Sequence, residues 1–421
     1  MAWNYSRAVE YADAKAVSMP GTERINALMR ALGDPQSRLL RVHVAGTNGK
    51  GSVSAYIAAA IGAAGYRTGR FSSPAVRERR ECFCIDGEFI GESEYAYCME
   101  RVAKAAESLK EKGLSRPTSF EAETAAAYLW FVLKGCRVAV IEAGMGGRDD
   151  ATNVSGQKTL LALTSIALDH TAFLGGTIEE IARAKAGMLT PGCAAVALRQ
   201  ERACEEAIMQ TAKEAGCDCE FVEPLEFLAF RGGRQLARLG EARVSLMPGT
   251  RQLGNAAVAA AAIKKLNERG LYLPESAIVR GFESVALPGR QERIGRLILD
   301  GAHNPDAAGE LGRSLDLYYP EKKKVALIGV FADKDHAGVL KALLPHVDAA
   351  VTFDWENRRA LKGSLLAGEA RGNVYCEYVP EIEGALGRAL ELAGENGLVV
   401  ACGSFSHLEK IRCAYCAKEE R

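Results

Sequence analysis

A glycine-rich segment, His43-Val-Ala-Gly-Thr-Asn-Gly-Lys-Gly-Ser52, stands where an apolar strand is followed by an amphipathic helix. The strand is predicted over Arg41–Ala45, and the helix is predicted to begin at Gly51. The backbone N–H groups of such a loop, placed at a helix N-terminus, bind phosphate oxygens. Lys50 would add a positive charge beside the phosphates, and the hydroxyl of Ser52 would reach Mg²⁺. The segment therefore predicts a nucleotide phosphate site.

The strict phosphate-loop pattern is not met in this segment. Gly46 stands three residues before Gly49 rather than five, and Gly51 separates Lys50 from Ser52. Because short motifs also match by chance, a glycine-rich surface turn is the alternative interpretation.

Two further polar residues stand at or after the ends of predicted strands. Glu142 lies in the strand predicted over Val138–Ala143, and His170 follows the strand predicted over Thr159–Ile166. A carboxylate is costly to bury unless it is paired or bound to metal, so Glu142 could complete a Mg²⁺ site with Ser52 and His170. The alternatives are a helix N-cap or a salt bridge for Glu142, and a hydrogen-bonded core position for His170.

Lys185 lies near the end of an apolar-faced helix predicted over Ile178–Ala186. A lysine amine has an ordinary pKa of ~10.4, which burial lowers by several units. A neutral amine can add CO₂ and become an anionic carbamate able to hold a metal. The alternative is an exposed lysine on a helix, which the residues by themselves favour.

The composition is that of a globular protein with more than one domain. The chain has 421 residues, of which 25% are charged and 48% hydrophobic, and this length predicts two domains. Lys+Arg and Asp+Glu both number 53, so bulk charge favours neither nucleic acid nor membrane as a partner. The start, Met1-Ala-Trp-Asn-Tyr5, lacks a signal-peptide pattern, and we expect a cytoplasmic protein without membrane spans.

The twelve cysteines are scattered. In a large chain of this kind they are expected to be small buried hydrophobes rather than disulfides. Cys413 and Cys416 could contribute to a metal site, but no second pair stands at zinc spacing.

Apolar runs alternate with helical patterns along the chain, which favours a parallel sheet covered on both faces. The predicted strands of the first domain are Arg41–Ala45, Val138–Ala143, Thr159–Ile166 and Ala194–Leu198. The predicted helices include Glu92–Lys112, Phe120–Lys134, Ile178–Ala186 and Gln252–Arg269. The segment Leu287–Arg293 interrupts this rhythm and is interpreted as a linker.

After the linker the alternation restarts, and we expect domains over residues 1–290 and 291–421. The predicted strands of the second domain are Arg296–Leu299, Lys324–Val330, Ala349–Phe353, Val374–Tyr378 and Leu398–Ala401. In open α/β sheets, ligands bind beyond the carboxyl ends of the strands. Polar clusters follow several strands at such ends: Gly46–Ser52, Glu142–Asp150, Asp169-His170 and Asp300–Pro305.

Several motifs together resemble those of one enzyme family. In chain order they are Val44–Ser52, Ser72–Pro74, Ile141–Arg148 with Asp150–Asn153, Leu168–His170, Lys185–Gly187, Leu287–Arg290 and Asp300–Asp306. They occur in the same order as in folylpolyglutamate synthases and dihydrofolate synthases, which are ATP-dependent Mur-type amide ligases. The resemblance runs from about Tyr11 to about Arg412. It implies a P-loop-type ATPase domain with a mostly parallel sheet, followed by a smaller Rossmann-like α/β domain.

The resemblance also implies a role for each matching residue. The implied ATP-binding residues are Asn48, Gly49, Lys50, Gly51, Ser52, Asn255, Arg290 and Asp300. The implied ligands of Mg²⁺, expected as two ions, are Ser52, Ser73, Glu142, His170 and Lys185, with Lys185 carbamylated. The residues implied to form the pterin pocket are Phe120, Glu121, Asp149, Asp150 and Ala151, and a loop at Pro20 and Gly21 would close over them. The residues implied to be catalytic are Lys50, Lys185 and His303.

Two motifs depart from the family pattern. Ser73-Pro-Ala-Val76 stands where the family usually has Ser-Pro-His-Leu, and Gly403-Ser-Phe-Ser406 stands where it has Gly-Ser-Leu-Tyr. The family's Ala-Asp-Lys-Asp is retained at Ala332–Asp335. These departures concern the details of substrate binding rather than the class of reaction.

We therefore expect a monomeric ligase that uses ATP to add L-glutamate to (tetrahydro)folate through an acyl phosphate, with domain closure excluding water. Whether dihydropteroate is also a substrate stays open. One alternative is another Mur-type amide ligase, but those generally carry an N-terminal nucleotide-sugar domain, for which the position of Gly46 leaves no room. The other is a nucleotide-gated ATPase or binding module without ligation, against which Asp300 and His303 argue.

Overall fold

The structure is a computed structural model that describes residues 2–14, 16 and 21–419. Pro20, at the start of the predicted closing loop, lies outside the described residues. The chain divides into two compact units. The first comprises Met1–Glu226, Arg238–Val244 and Gly254–Val285, and the second comprises Phe227–Ala237, Ser245–Leu253 and Ala286–Arg421. The division at 290/291 stays a prediction.

The first unit is built on a mostly parallel sheet. Its strands are β1 (Leu40–Ala45), β2 (Thr68–Phe71), β3 (Phe83–Ile85), β4 (Glu88–Phe89), β5 (Val138–Glu142), β6 (Leu160–Leu163), β7 (Ala194–Leu198) and β8 (Cys219–Val222). They lie in the order β4-β3-β2-β5-β1-β6-β7-β8. Only the pairs β2–β3 and β3–β4 are antiparallel. Every residue of β5 and of β6 is buried, which is typical of parallel strands covered on both faces.

Helices flank this sheet and the sheet of the second unit. In chain order they are α1 (Tyr5–Asp13), α2 (Glu23–Ala31), α3 (Lys50–Ala63), α4 (Glu92–Glu111), α5 (Ser119–Leu133), α6 (Thr171–Leu174), α7 (Ile178–Ala186), α8 (Arg202–Glu214), α9 (Arg251–Glu268), α10 (Glu275–Ser284), α11 (Pro305–Tyr318), α12 (His336–Leu343), α13 (Gly363–Ala370), α14 (Ile382–Ala393) and α15 (Leu408–Glu419). None in the described part of the chain combines the length and apolar character needed to cross a membrane.

Two buried clusters form most of the core of the first unit. One joins α1, α2, α4 and α5 to β2, β3 and β5. The other joins α7 and α8 to β6 and β7. Helix α10 lies so close to α3 that a side chain at Gly281 would meet the backbone of Ala60 at 2.4 Å. Small residues at this crossing therefore allow the two helices to approach closely.

A small sheet that the sequence did not predict follows β8. Its strands are β9 (Glu226–Arg231), β10 (Arg234–Leu239) and β11 (Ala242–Leu246), with β10 in the middle. The glycine pair Gly232-Gly233 connects β9 and β10, and both glycines have positive φ. Such conformations favour glycine and are typical of tight hairpin connections.

The second unit has a smaller, mostly parallel sheet. Its strands are β12 (Glu292–Ile294), β13 (Leu297–Leu299), β14 (Lys324–Ile328), β15 (Ala349–Thr352), β16 (Tyr375–Tyr378) and β17 (Leu398–Cys402). They lie in the order β12-β13-β17-β14-β15-β16, and only β12 runs antiparallel to its neighbour. The predicted α/β class of both parts is confirmed.

The predicted linker is partly wrong. Its last residues, Glu292 and Arg293, belong to β12, whose pairing partner β13 begins only after a turn at Gly295. The hairpin brings a short, polar segment into the sheet as an edge strand. Polar edge strands have little hydrophobic periodicity, so the sequence pattern favoured a linker.

Candidate active site

Several predicted site residues of the first unit follow strands that end at one edge of its sheet. Strands β2, β5, β1 and β6 are neighbours and parallel, so their carboxyl ends open on the same side. The segments that follow them begin at Ser72, Ala143, Gly46 and Thr164. These segments carry Gly46–Ser52, called the phosphate loop below, and several of the residues predicted to hold metal. They lie at the edge where α/β proteins bind small molecules.

Glycines at two positions allow the phosphate loop to pass close to other groups. A side chain at Gly46 (φ +151°) would lie 1.8 Å from Oγ1 of Thr164. A side chain at Gly49 (φ +93°), which caps α3, would lie 2.2 Å from Oδ1 of Asn255. The structure thus brings Asn255 of α9 against Gly49, which belongs to the same set of expected ATP-binding residues.

Hydrogen bonds join the phosphate loop to the segment after β6. The N–H groups of Thr47 and Asn48 donate to the carbonyl of Ser165 at 2.7 and 3.3 Å. The hydroxyl of Thr47 donates to the carbonyl of Ala167 at 3.1 Å. The loop is therefore an ordered part of the sheet edge, which argues against a simple surface turn.

Lys50 and Ser52 occupy the first turn of α3. The ammonium of Lys50 donates to the carbonyl of Thr47 at 3.1 Å, and Ser52 is buried. The N-terminal turn of a helix carries unpaired N–H groups and a partial positive charge, both of which favour an anion. The cation of Lys50 adds to that field, so the geometry suits a phosphate chain.

Glu142 is buried at the end of β5, close to the start of α3. One oxygen accepts a hydrogen bond from the N–H of Ser73 at 3.4 Å, and a side chain at Gly51 would lie 3.4 Å from the same oxygen. Glu142 is therefore not a helix N-cap. A buried carboxylate close to the first turn of α3 fits Mg²⁺, which takes few protein ligands and keeps water and phosphate oxygens.

His170 is the less enclosed of the predicted ligands. Its side chain is 40% exposed, which excludes the core-histidine alternative. It directly precedes α6 as its N-cap residue, with a left-handed backbone (φ +51°), and its backbone N–H donates to Asp169 at 2.9 Å. Within the described residues, no group of three or more His, Cys, Asp or Glu side chains is arranged to hold a metal. Cys413 and Cys416, which are both exposed, belong to no such group among these residues.

Lys185 is buried, so the exposed-lysine alternative is wrong. Its ammonium donates to the carbonyl of Gly46 at 2.7 Å. Burial and the nearby charge of Lys50 lower the pKa of Lys185 to about 7, although Asp150 and Asp169 oppose this. Because a side chain at Gly147 would meet the carbonyl of Ala184 at 2.3 Å, the segment after β5 packs directly on α7.

The predicted pterin-pocket residues begin α5 and the turn after β5. The ring of Phe120 lies over Gly144, where an added side chain would approach it to 2.5 Å. Asp150 is buried and accepts hydrogen bonds from Met145 and Thr152, while desolvation raises its pKa. Its neighbours differ in exposure: Asp149 is exposed and Ala151 is half-buried.

Glu121 is engaged within the protein. Its carboxylate accepts from Nε of Arg24 at 3.0 and 2.8 Å, and both side chains are 6% exposed. It also accepts from the N–H and hydroxyl of Thr118 at 2.8 and 2.9 Å, which completes a capping box at the start of α5. The sequence missed Arg24 because 97 residues separate it from Glu121 and no local pattern links them.

The second unit carries its own polar group at the carboxyl end of β13. The carboxylate of Asp300 accepts from the N–H groups of Ala302 and Gln291 at 2.8 and 3.1 Å. Desolvation raises the pKa of Asp300, while the charge of Arg290 opposes this. His303 follows, with Nδ1 2.8 Å from the carbonyl of Gly301. Asp300, Arg290 and His303 therefore lie at the same edge of this sheet.

The sequence also missed two residues that organise the first unit's edge. Ser165 accepts from the phosphate loop through its carbonyl and donates to the carbonyl of Asn48 at 3.1 Å. Thr164 fills the space that Gly46 leaves open. Their position directly after β6 was the available signal, because parallel strands end at the same edge.

The chain resembles known ligases in sequence and in structure. Residues 44–222 match the Mur ligase middle domain, and residues 289–405 match the Mur ligase glutamate ligase domain. A dihydrofolate synthase/folylpolyglutamate synthase of Mycobacterium tuberculosis is 34% identical over 376 residues, covering 83% of this chain and 77% of that protein.

Two solved structures are similar over nearly the whole chain. One is Escherichia coli FolC in complex with DHPP and ADP, with 28% identity and a TM-score of 0.85, covering 99% of this chain and 98% of that one. The other is a bifunctional folylpolyglutamate synthase/dihydrofolate synthase with Mn, AMPPNP and L-glutamate bound, with 30% identity, a TM-score of 0.84 and 98% of each chain covered. The chain therefore belongs to the folylpolyglutamate synthase/dihydrofolate synthase family of Mur ligases.

Proposed function

We propose that this protein uses ATP to join the amine of L-glutamate to a carboxylate of a folate, through an acyl phosphate. The observation that carries the proposal is the arrangement of residues at the carboxyl ends of the first unit's strands. There the N-terminal turn of α3, which includes Lys50, lies close to the buried carboxylate of Glu142. This arrangement suits a nucleotide triphosphate with its metal. The two similar solved structures, which hold ADP or AMPPNP, belong to ligases and support the reaction class.

The chemistry requires activation, because a carboxylate is a poor electrophile. The γ-phosphoryl group of ATP passes to a carboxylate oxygen of the folate, and ADP leaves. The neutral amine of glutamate then attacks the acyl carbon, the C–O bond to phosphate breaks, and the amine loses a proton as the amide forms. Lys50 stabilises the negative charge that develops during the phosphoryl transfer.

We propose that Ser52, Ser73, Glu142 and His170 hold Mg²⁺, expected as two ions. When bound, Mg²⁺ neutralises phosphate charge and orients the phosphates for in-line transfer. Ser52 and Glu142 suit one ion by their chemistry, and Glu142 lies close to Gly51, the residue before Ser52. His170, which is half-exposed, would join a second ion only with help from other groups.

We propose that Lys185 is carbamylated in the active enzyme. Its low pKa leaves a large neutral fraction near neutral pH. The neutral amine adds to CO₂, forming an N–C bond and releasing one proton, and the resulting anion would help to hold the second ion.

We propose that Asn48, Gly49, Gly51 and Asn255 bind the nucleotide together with Lys50. In the second unit, Arg290 and Asp300 contribute nucleotide contacts, and His303 lies near the glutamate and the transferred phosphate. Phe120, Asp149, Asp150 and Ala151 form the pterin pocket, while Glu121 holds the start of α5. Support for the last role is that Arg24 and Thr118 engage its carboxylate.

Dihydropteroate is a proposed second acceptor. Relatives are named as both dihydrofolate and folylpolyglutamate synthases, and the similar Escherichia coli protein was solved with DHPP and ADP. One acyl-phosphate chemistry serves both acceptors, because each presents a carboxylate to be joined to glutamate.

The decisive experiment measures ADP release with each substrate omitted in turn. Tetrahydrofolate and dihydropteroate are tested in parallel, with product mass as a second readout. We expect ADP release to require both glutamate and a pterin acceptor, with one glutamyl unit added per ADP. ADP release without either substrate, and no change in acceptor mass, would instead indicate an ATPase without ligation.

A further inference from the structure

The terminal loop Gly403–Ser406 departs from the family pattern at two neighbouring positions. Phe405 stands where the resemblance leads us to expect leucine, and Ser406 stands where tyrosine is expected. Both side chains have defined partners within the second unit. The loop therefore forms contacts of its own, which the family pattern does not describe.

The ring of Phe405 occupies a space left by two glycines. A side chain at Gly301 would lie 2.0 Å from its Cζ, and a side chain at Gly289 would lie 3.2 Å from the ring. Gly301 directly follows Asp300, and Gly289 directly precedes Arg290. The ring is thus fixed between the two segments that carry the proposed nucleotide-binding residues.

The guanidinium of Arg290 lies over this ring, with its central carbon 4.5 Å from the ring centroid. A planar cation at this distance from an aromatic face is held by a cation–π interaction. Phe405 itself is 9% exposed, so a nearly buried ring packs against the half-buried guanidinium of Arg290. Leucine at this position would fill part of the same space but would offer the guanidinium no π face.

The loop that carries Phe405 is anchored by two hydrogen bonds of Ser406. The indole N–H of Trp355 donates to Oγ of Ser406 at 3.2 Å. The N–H of Ser406 donates to Oγ of Ser404 at 3.2 Å, which caps the short helix Phe405–His407. A tyrosine at position 406 would carry its hydroxyl at the far end of the ring. It would have no oxygen bonded to Cβ that could accept from the indole. The two departures are thus linked by one packing arrangement.

We infer that Phe405 is a positioning residue that holds the guanidinium of Arg290 for nucleotide binding. The inference rests on the proposed nucleotide role of Arg290. Phe405 acts through Arg290: the ring holds the plane of the guanidinium through the cation–π contact, and this fixes the direction in which its N–H groups meet phosphate or ribose oxygens. A preorganised guanidinium loses less side-chain entropy when the nucleotide binds.

The test measures the affinity for AMPPNP with Mg²⁺ by titration calorimetry, without folate or glutamate. The variants are Phe405→Leu, Arg290→Met and the double variant, each checked by thermal unfolding. We expect Phe405→Leu to weaken binding by roughly 2- to 30-fold, the range of a cation–π contact. The double variant is expected to bind as weakly as Arg290→Met alone, because the ring acts through the guanidinium.

Leu408→Val serves as the matched control. Leu408 packs beside the same glycine, Gly289, but no cation–π contact involves it. We expect it to lower stability slightly and to leave AMPPNP affinity within about twofold. If Leu408→Val and Phe405→Leu weaken binding equally, the effect is general packing and the inference is overturned.

Two other outcomes separate the inference from the proposed function. The inference alone is wrong if Arg290→Met weakens AMPPNP binding but Phe405→Leu does not. It is also wrong if Phe405→Leu lowers the affinity as much in the Arg290→Met background as in the unmodified protein. If Arg290→Met leaves binding unchanged, the nucleotide role of Arg290 is wrong and the inference fails with it. Glutamate-dependent ADP release by the unmodified protein tests the ligase activity independently of both outcomes.

Discussion

The side-chain nitrogen of Lys185 donates a hydrogen bond to the main-chain oxygen of Gly46 over 2.7 Å. This contact joins the end of α7 to the first glycine of the phosphate loop, 139 residues earlier in the chain. It holds the amine beneath the loop, where burial and the charge of Lys50 disfavour protonation. An amine that is partly neutral at neutral pH is therefore built into the phosphate site.

The first prediction concerns the pH dependence of that amine. With a pKa of about 7, about one tenth of Lys185 is neutral at pH 6 and about nine tenths at pH 8. Carbamylation consumes the neutral form, so the carbamate signal from ¹³C-labelled CO₂ should rise as pH rises through 7. Lys185→Ala should abolish both signal and ligation, and a small carboxylic acid should partly restore activity.

Lys158 provides the control for this measurement. It is also buried, with a pKa lowered to about 8 by burial and by Arg41, but it lies outside the phosphate site. Lys158→Met should keep the carbamate signal. A signal that survives Lys185→Ala and disappears in Lys158→Met would contradict the assignment.

The second prediction is that Lys50→Met lowers kcat by roughly 10²- to 10³-fold, the cost of removing one group that stabilises transition-state charge. The melting temperature should change little, because Lys50 is half-exposed at the start of α3. Lys104→Met, which removes an exposed lysine from α4, should leave kcat unchanged. Near-normal turnover of a folded Lys50→Met protein would disprove the phosphate-loop assignment.

The third prediction concerns the metal. Glu142→Gln should raise the Mg²⁺ concentration needed for half-maximal activity by about tenfold or more, since it removes the charge of a buried carboxylate close to the start of α3. His170→Ala should raise it less, because that side chain is more exposed. Mg²⁺ titrations beside melting curves provide the measurement.

Glu205→Gln is the matched control for the metal prediction. Glu205 is a 9% exposed carboxylate that accepts from Arg199 and from the N–H of Gln200. Its substitution should lower the melting temperature without changing the Mg²⁺ requirement. If Glu142→Gln behaves in the same way, Glu142 has a structural role only.

Much of the fold could be predicted because its strands are continuous apolar runs. The strand predicted over Ala194–Leu198 and the helix predicted over Ile178–Ala186 have those bounds in the structure. Apolar periodicity identifies such elements directly. The small sheet of β9–β11 escaped prediction because its strands are mostly half-buried, and half-buried strands with mixed polarity leave a weak pattern.

The candidate site was predicted in outline through the rule that strand ends gather polar loops. This rule does not predict contacts between segments that are far apart in the sequence. Arg41, inside a strand predicted as apolar, is buried because the carbonyls of Val154, Ser155 and Gln157 accept from its guanidinium. A buried charge needs such partners. No sequence pattern predicts that carbonyls more than 100 residues away accept hydrogen bonds from this arginine.

The fourth prediction compares two glycines with positive φ. Gly49→Ala should lower kcat/KM by about 100-fold, the cost of misplacing groups by about 1 Å, because the methyl group would displace Asn255. Gly65 has a similar φ of +89° but open space around it. Gly65→Ala should therefore cost about 1–2 kcal/mol of stability and keep its activity. Equal activity losses in the two variants would show that backbone strain, rather than the contact with Asn255, is responsible.

The last prediction concerns the buried ion pair of Arg24 and Glu121. Arg24→Met should destabilise the protein by about 3–5 kcal/mol, because it leaves a buried carboxylate without its partner. Since Glu121 caps α5 directly beside Phe120, the KM for the folate should rise as well. In the double variant Arg24→Met/Glu121→Gln the buried charge is gone, and we expect both stability and folate KM to recover partly. Denaturant unfolding and steady-state kinetics on the four proteins give the double-mutant cycle. Recovery of stability without any recovery of folate KM would mean that Glu121 contacts the substrate itself, rather than holding Phe120 in place.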